Sequence, residues 1–236
     1  MIFVKSNKYN VTFAYPNVSL NNEFIGIGEI IASSKDYVDK AKYEIFSRKN
    51  INHSEILTAS SILANKPRKF LRNIYAKKED KQLYSDGSMG LAYLLAKIHC
   101  AKPIKPVYYN KKIWTTGSPE LRGKEPFLSD VFQNQFDVKL NAFLLQKTDK
   151  IFFVPEANMK PEFIEKCNNL DIELLEVKQF SKLSSKKIFQ KKKIVQVNGN
   201  ELEFIVDAIF KKSIVGILKT YWFKIFLILS IISIVS

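Results

Sequence analysis

The sequence predicts an α+β fold in which mixed sheets are interleaved with helices, followed by a C-terminal apolar helix. Stretches of β-type composition alternate with stretches of helical spacing along most of the chain, which is typical of mixed architectures. Apolar residues make up 46% of the 236 residues, which is enough for one good-sized domain with a buried core. The final apolar stretch, residues 213–236, has the length that a bilayer-spanning helix requires.

The N-terminal part of the chain predicts strands and helices in alternation. Residues 11–15 and 24–32 have strand composition and are separated by an Asn-rich turn. Residues 36–46 and 54–63 have helical spacing, and residues 70–76 resemble a third strand.

A serine turn follows at residues 84–90, with the sequence YSDGSMG. It opens into residues 91–98, which are apolar almost all round and predict a buried helix. Ser88 then lies at the helix N-terminus between Gly87 and Gly90, where free backbone N–H groups favour a developing oxyanion. A serine at such a turn is one way to present a nucleophile, and an ordinary helix cap is the alternative.

The second half of the chain continues the alternation. A short strand at 112–117 and a strand end at 121–123 are followed by a long loop or insertion at 124–136. The remaining predicted elements are a helix at 138–145, a buried strand at 150–155, a helix at 162–167, an edge strand at 172–177 and a hairpin with an Asn-Gly turn at 194–205.

The positive charge is concentrated toward the C-terminus. Residues 181–193 hold six lysines and no acid, within a net charge of +14. A basic cluster beside an apolar segment favours a membrane surface over nucleic acid, and it predicts that the domain stays on the cytoplasmic side. We therefore expect a domain at 1–180, a basic linker with a possible hairpin at 181–212, and a transmembrane helix at 213–236. A buried C-terminal helix is the competing interpretation of the last segment.

Four short motifs occur in one order along residues 88–179. They are Ser88-Met89-Gly90, residues 114–117 (WTTG) followed by 121–123 (LRG), Val138-Lys139 at the start of a Leu/Ala-rich helix, and residues 153–158 (FVPEAN). In this order they resemble the proteolytic domain of the Lon family of Ser–Lys peptidases. The resemblance implies a fold like ribosomal protein S5 domain 2. The ATPase module of that family is absent from this sequence, which has no G-x-x-x-x-G-K-[ST] motif.

The chain departs from the family pattern near the expected site. Gly87 stands where the family has proline, and Phe136 and Asp137 replace the two glycines before the family's lysine. Glu120 is displaced relative to the Thr-Gly pair. These differences predict an altered substrate groove and an altered lysine segment.

Histidine is the usual base for a serine nucleophile, but neither histidine is suitably placed. His99 follows Ser88 by eleven residues on one predicted helix, about 16 Å along its axis. His53 lies in a polar stretch beside a predicted helix start. Lysine can serve as the base when burial lowers its pKa toward neutrality, and Lys139 heads an apolar helix between two apolar neighbours.

The resemblance assigns roles to the site residues. Ser88 would be the nucleophile and Lys139 its base, with the Thr116 hydroxyl orienting the lysine amine. The backbone N–H groups of Ser88 and Met89 would bind the oxyanion, and Gly87 and Gly90 would shape the turn. The reaction would be acyl transfer through an acyl-enzyme. Neither a cofactor nor a metal is expected, and the two cysteines, Cys100 and Cys167, have no metal-ligand spacing and predict buried thiols.

The combined interpretation is a membrane-tethered, ATP-independent endopeptidase that cleaves a protein partner at the cytoplasmic face of the cell inner membrane. Its partners would be a protein substrate or regulatory protein and the membrane, with no nucleic acid, and a homo-oligomer is possible. One alternative is a catalytically inactive scaffold or binding module with the same fold at the membrane. Another is a basic protein that binds a membrane surface or nucleic acid.

Overall fold

The computed structural model describes residues 11–19, 21–32, 43–45, 53–65, 75–77 and 89–211. The described residues form ten strands: β1 (Val11–Val18), β2 (Phe24–Ala32), β3 (Tyr43–Ile45), β4 (Tyr75–Lys77), β5 (Lys112–Thr115), β6 (Ser118–Arg122), β7 (Glu125–Ser129), β8 (Ile151–Pro155), β9 (Glu173–Glu176) and β10 (Lys193–Val197). They also form seven α-helices: α1 (His53–Ala64), α2 (Gly90–Ala101), α3 (Gln133–Leu144), α4 (Pro161–Asn169), α5 (Val177–Ser181), α6 (Ser185–Ile188) and α7 (Leu202–Ile209). The predicted α+β class with a mixed sheet is confirmed.

Eight strands form one mixed sheet in the order β3-β4-β2-β1-β5-β8-β10-β9. The strands from β3 to β1 pair antiparallel, and those from β1 to β9 pair parallel. Parallel strands end on the same side of a sheet. We call the side with residues 116–117, 156–158 and 198, which follow β5, β8 and β10, the carboxyl edge. The opposite side, with the residues that precede these strands, is the amino edge.

Helices cover both faces of the sheet. Phe13, Ile113, Phe153 and Val195 point to one face, where they pack with α1, α2, α5 and α7. Their strand neighbours Ala14, Trp114, Phe152 and Ile194 point to the other face, where they pack with α3 and α4. Each parallel strand is thus apolar on both faces, as expected for strands between two helix layers.

Several predicted elements agree with the structure, and others do not. β1, β2 and α1 overlap the strands at 11–15 and 24–32 and the helix at 54–63. β8 and α4 also lie at their predicted positions, and β9 is an edge strand as predicted. The helix expected over residues 36–46 is wrong at its end, because residues 43–45 form β3.

The long loop expected at 124–136 is also wrong. Residues 125–129 form β7, which pairs with β6 in a separate two-stranded hairpin. Gly123, at a φ of 66°, makes the turn between these two strands. Pro126 is tolerated because a two-stranded hairpin has only edge strands. α3 begins at Gln133, about one and a half turns before the predicted start at residue 138.

Residues 181–211 belong to the domain, so the linker and the hairpin expected there are wrong. β10 lies between β8 and β9 in the main sheet, with both neighbours parallel to it. The residues after the Asn-Gly pair form α7, which is buried against the α2 face through Leu202, Ile205 and Ile209. The domain boundary predicted at residue 180 therefore moves to Lys211 or beyond.

Within the described part of the chain, no helix is long and apolar enough to cross a membrane. The transmembrane helix predicted at 213–236 lies outside the described residues.

Candidate active site

The N-terminus of α2 contacts the turn that follows β5. The Leu91 N–H donates a hydrogen bond to the Gly117 carbonyl at 3.2 Å. Gly90 is buried, and a Cβ atom there would lie 2.6 Å from Pro119 Cδ and 3.3 Å from the Gly117 oxygen. Only glycine permits this approach, so Gly90 fixes where the helix starts. Met89 is buried just before it, whereas Ser88 and Gly87 lie outside the described residues.

Thr116 lies at the carboxyl end of β5. Its N–H donates to the Phe153 carbonyl at 3.0 Å, which extends the pairing with β8 by one residue. By strand alternation its side chain shares the α3 face with Trp114. The side chain is fully buried, and its hydroxyl has no hydrogen-bond partner among the described residues. Buried hydroxyls are normally paired, so an unpaired one is an exception that needs an explanation.

Gly117 completes the turn after β5 and lies in close contact with the β6–β7 hairpin and the end of β8. Its φ of 118° is one that residues with a side chain rarely adopt. A Cβ atom there would lie 2.8 Å from Leu128 Cδ1 and 3.0 Å from Pro155 Cγ. The turn is therefore enclosed by the hairpin, by the end of β8 and by the start of α2.

Lys139 occupies an apolar position of α3. It lies on the helix face that also carries Phe136, Leu140 and Phe143, and this face packs against the sheet. Its side chain is fully buried. Burial disfavours the ammonium form and lowers the pKa of Lys139 to about 8. The structure thus agrees with the predicted burial, but the prediction that Lys139 heads its helix is wrong because α3 begins at Gln133.

Asn158 anchors the start of α3 at the carboxyl edge, a role that the sequence did not reveal. Its buried side chain accepts a hydrogen bond from the Val131 N–H at 3.0 Å and donates to the Val131 carbonyl at 2.8 Å. The Gln133 side-chain amide donates to the Asn158 carbonyl at 3.2 Å. The only signal in the sequence was the position of Asn158 within the matched motif at 153–158.

These anchors determine the direction in which α3 crosses the sheet. The helix starts beside Asn158 at the carboxyl edge and ends at the amino edge, where the Lys192 amine bonds the carbonyls of Phe143 and Leu144. Lys139 follows Gln133 by about 9 Å of helix. Helical side chains lean toward the helix N-terminus, so we expect the Lys139 amine to be directed toward the carboxyl edge. Thr116 lies at that edge on the same face.

Phe136 and Asp137, at the positions where the sequence resemblance expected glycines, have structural roles. Phe136 is buried against Phe163, with ring centroids 5.4 Å apart in an edge-to-face arrangement. Asp137 is partly exposed on the outer side of α3, where the Asn141 amide donates to it at 3.2 Å and Lys166 lies 3.6 Å away. Both belong to the continuous helix α3 that carries Lys139.

His99 has a structural role at the far end of α2. It is buried in the last turn of the helix and stacks on Phe210, with ring centroids 6.2 Å apart. Its Nδ1 lies 3.2 Å from the Lys102 carbonyl oxygen. About 15 Å of helix separates it from Met89. His53 begins α1, and its side chain is not among those described.

Cys167 is a buried free thiol, as predicted. Burial raises the pKa of this thiol to about 11, which makes it unreactive at neutral pH. The side chain of Cys100 lies outside the described part of the structure. The described residues contain no group of histidine, cysteine or acidic side chains that could hold a metal ion.

Comparison with known proteins identifies no relative: no protein-family model, no curated protein and no solved structure matches the chain.

Proposed function

We propose that the protein is a peptidase that uses Ser88 as its nucleophile and Lys139 as its general base. The observation that carries this proposal is the fully buried Lys139 amine, whose pKa is lowered to about 8. It shares a face of the sheet with the buried Thr116 hydroxyl, which has no hydrogen-bond partner among the described residues. A lysine with such a pKa is partly neutral near pH 8, so it can accept a proton from a serine hydroxyl.

The contacts around Gly117 support the assignment of the nucleophile. α2 begins beside Thr116 because the Leu91 N–H bonds the Gly117 carbonyl. Ser88 precedes Gly90 by two positions in the sequence, so the proposed nucleophile is adjacent along the chain to the residues that make this contact. The N–H groups of Ser88 and Met89 at the start of α2 would then serve as oxyanion donors.

The chemistry divides among these groups as follows. The Lys139 amine takes the Ser88 proton as the hydroxyl attacks a peptide carbonyl, and the oxyanion forms at the start of α2. The lysine then returns the proton to the leaving amine, which leaves an ester on Ser88. Water hydrolyses that ester with Lys139 again acting as base. Thr116 would accept a hydrogen bond from the amine and hold its lone pair toward the serine.

The cellular setting is also a proposal. We infer that the apolar stretch at 213–236 tethers the protein to the cell inner membrane, with the domain and its protein partner on the cytoplasmic side. The support comes from the length of that stretch and from the lysines beside it. A scaffold without activity is the second candidate, favoured by the helical setting of Phe136 and Asp137 in place of two glycines.

A serine-directed fluorophosphonate probe tests the mechanism without knowledge of the substrate. The full chain in detergent should gain one covalent adduct at Ser88, and the adduct should be absent from Ser88→Ala and at least about 100-fold slower in Lys139→Met. The rate should rise with pH and reach half its maximum near pH 8.

Two variants serve as matched controls for this labelling. Ser118→Ala and Lys97→Met should react like wild type, since Ser118 also adjoins Gly117 and Lys97 is also buried. Labelling of wild type and Ser88→Ala to the same extent would leave the scaffold as the better proposal.

A further inference from the structure

The amino edge of the sheet is rich in exposed lysines. These are Lys111 before β5, Lys147 before β8, Lys187 and Lys191 before β10, and Lys211 at the end of the described residues. Three acids on this edge are already engaged. Asp149 accepts a hydrogen bond from the Trp114 indole at 2.7 Å, Asp171 pairs with Lys191 at 3.0 Å, and Glu173 pairs with the buried Lys193 at 2.7 Å. The edge therefore carries a net positive charge.

The carboxyl edge has the opposite character. Glu156, Glu176 and Glu201 follow β8, β9 and β10, and Asn158 and Asn198 lie among them. Two lysines, Lys160 and Lys178, are also exposed there, and Lys178 pairs with Glu201 at 2.5 Å. The candidate active site lies at this edge, so the charge of the domain is polarised along the direction of the parallel strands.

Two exposed leucines accompany the lysines of the amino edge. Leu145 ends α3, two residues before Lys147, and 79% of its surface is exposed. Leu170 ends α4 beside Asp171, and 56% of its surface is exposed. Aliphatic side chains among cations suit the headgroup region of a bilayer. A single-stranded nucleic acid would instead need aromatic rings for stacking, and none of the exposed large apolar residues described on this edge is aromatic.

The described chain also ends on this edge. The Lys211 N–H donates to the Pro103 carbonyl at 2.8 Å, and Phe210 pairs with Ile104 in the loop that leads to β5. From Lys211 the sequence continues through Lys212 into the apolar stretch, which itself contains Lys219 and Lys224. The chain thus enters its most apolar segment from the most basic side of the domain.

We propose that the amino edge is a docking surface for anionic lipid headgroups, which holds the carboxyl edge turned away from the bilayer. β8 alone separates the two edges by about 16 Å. The consequence of this orientation for the substrate rests on the proposed peptidase function. A peptidase so placed acts on polypeptide segments in the aqueous phase and not on segments embedded in the membrane.

Lysine footprinting on the full chain tests the docking surface. The protein is reconstituted into nanodiscs of phosphatidylcholine alone or of phosphatidylcholine with phosphatidylglycerol, and reductive methylation of each lysine is measured by mass spectrometry. In the anionic discs, Lys111, Lys147 and Lys187 should react several-fold more slowly. Lys124 and Lys160, which are exposed on the hairpin and before α4, should react equally in both. Salt at about 1 M should abolish the difference, because it shortens the screening length to about 3 Å.

Charge-reversal variants supply the matched control. Lys147→Glu combined with Lys187→Glu should remove the protection of Lys111, since each basic residue near an anionic surface contributes about fivefold to binding. Lys124→Glu combined with Lys160→Glu makes the same change in net charge and should leave the protection intact.

Two results would overturn the proposal. One is equal labelling of the amino-edge lysines in the two kinds of disc, and the other is their protection by single-stranded RNA but not by anionic lipid. Neither result bears on probe labelling of Ser88, so failure of the docking surface is separable from failure of the peptidase.

Discussion

At the scale of single residues, a buried lysine on an apolar helix face lowers the stability of the fold, so its presence there calls for a functional reason. Lys139 shares its face of α3 with Phe136, Leu140 and Phe143, where leucine or methionine would pack without a charge to desolvate. Burial lowers its pKa from 10.5 to about 8. Between pH 8 and pH 10.5 the unfolded chain therefore keeps a proton on Lys139 that the folded chain has released. In this range the unfolded state holds more protons, and the free energy of unfolding rises with pH.

The first prediction concerns this pH dependence. Below pH 8 the buried ammonium costs about 3 kcal/mol of folding stability, and the cost disappears above pH 10.5. Lys139→Met should therefore be more stable than wild type at pH 7, and the advantage should shrink as pH rises toward about 10. Denaturant unfolding of both proteins in the same detergent at several pH values across this range measures the difference. A constant difference would mean that Lys139 does not titrate there.

The neighbouring threonines 115 and 116 give a second prediction as a matched pair. The Thr115 hydroxyl lies 3.4 Å from the Ala14 carbonyl, whereas the buried Thr116 hydroxyl has no partner among the described residues. Thr115→Val should cost about 1 kcal/mol of stability and leave probe labelling of Ser88 unchanged. Thr116→Val should cost no stability and slow labelling at least about tenfold, because the lysine amine loses its orienting group. The opposite pattern would make Thr116 purely structural.

At the scale of elements, the junction between α2 and the Gly117 turn holds the proposed nucleophile in position. The third prediction is that Gly90→Ala slows labelling of Ser88 at least about tenfold, because the new methyl group would lie 2.6 Å from Pro119 Cδ and push the helix start away. Alanine is otherwise favoured over glycine in a helix by about 1 kcal/mol, so any loss of stability measures the clash. Gly26→Ala is the control, since no atom lies within 4 Å of a Cβ placed there. Equal labelling of both variants and wild type would remove α2 from the mechanism.

The elements also show how far the sequence could predict the fold. β8 was predictable because its residues form a short, continuous apolar run that ends in proline, as in a strand buried on both faces. α7 was not, because its first residues alternate like a strand and the Asn-Gly pair before them resembles a hairpin turn. In the structure the Asn198 side chain instead accepts a hydrogen bond from the Asn200 N–H and starts a short 3-10 helix. Only the later Val206 and Ile209 reveal the helical period.

The candidate site was likewise predictable from the sequence only in part. Burial of Lys139 was predictable from its apolar neighbours, and the distance of His99 from the helix start was predictable from helix geometry. The role of Asn158 was not predictable, because its hydrogen bonds to Val131 join segments 27 residues apart in sequence. The basic run at 181–193 predicts a membrane-facing linker, yet Lys192 caps α3 and Lys193 is buried beside Glu173. Composition identifies charge but not the carbonyl or carboxylate that pairs with it.

At the scale of the whole molecule, residues 181–211 complete the main sheet. β10 lies between β8 and β9, so without it β9 would have no strand to pair with and β8 would become an exposed edge. α7 covers the α2 face with Leu202, Ile205 and Ile209, and Phe210 packs against His99. The last stretch of the described domain therefore completes both the sheet and the larger of its two cores.

The last prediction follows from this arrangement. A chain that stops at residue 180 should fail to fold, because it exposes the inner faces of β8 and α2 and loses β10, the strand that joins β8 to β9. A chain that stops at residue 212 should keep the fold, since Lys211 makes the final described backbone bond, to Pro103. Circular dichroism and denaturant unfolding of the two chains distinguish these outcomes, and the longer chain should unfold in one cooperative transition. Cooperative folding of the shorter chain would restore the linker interpretation, and it would show that the parallel half of the sheet is stable without β10.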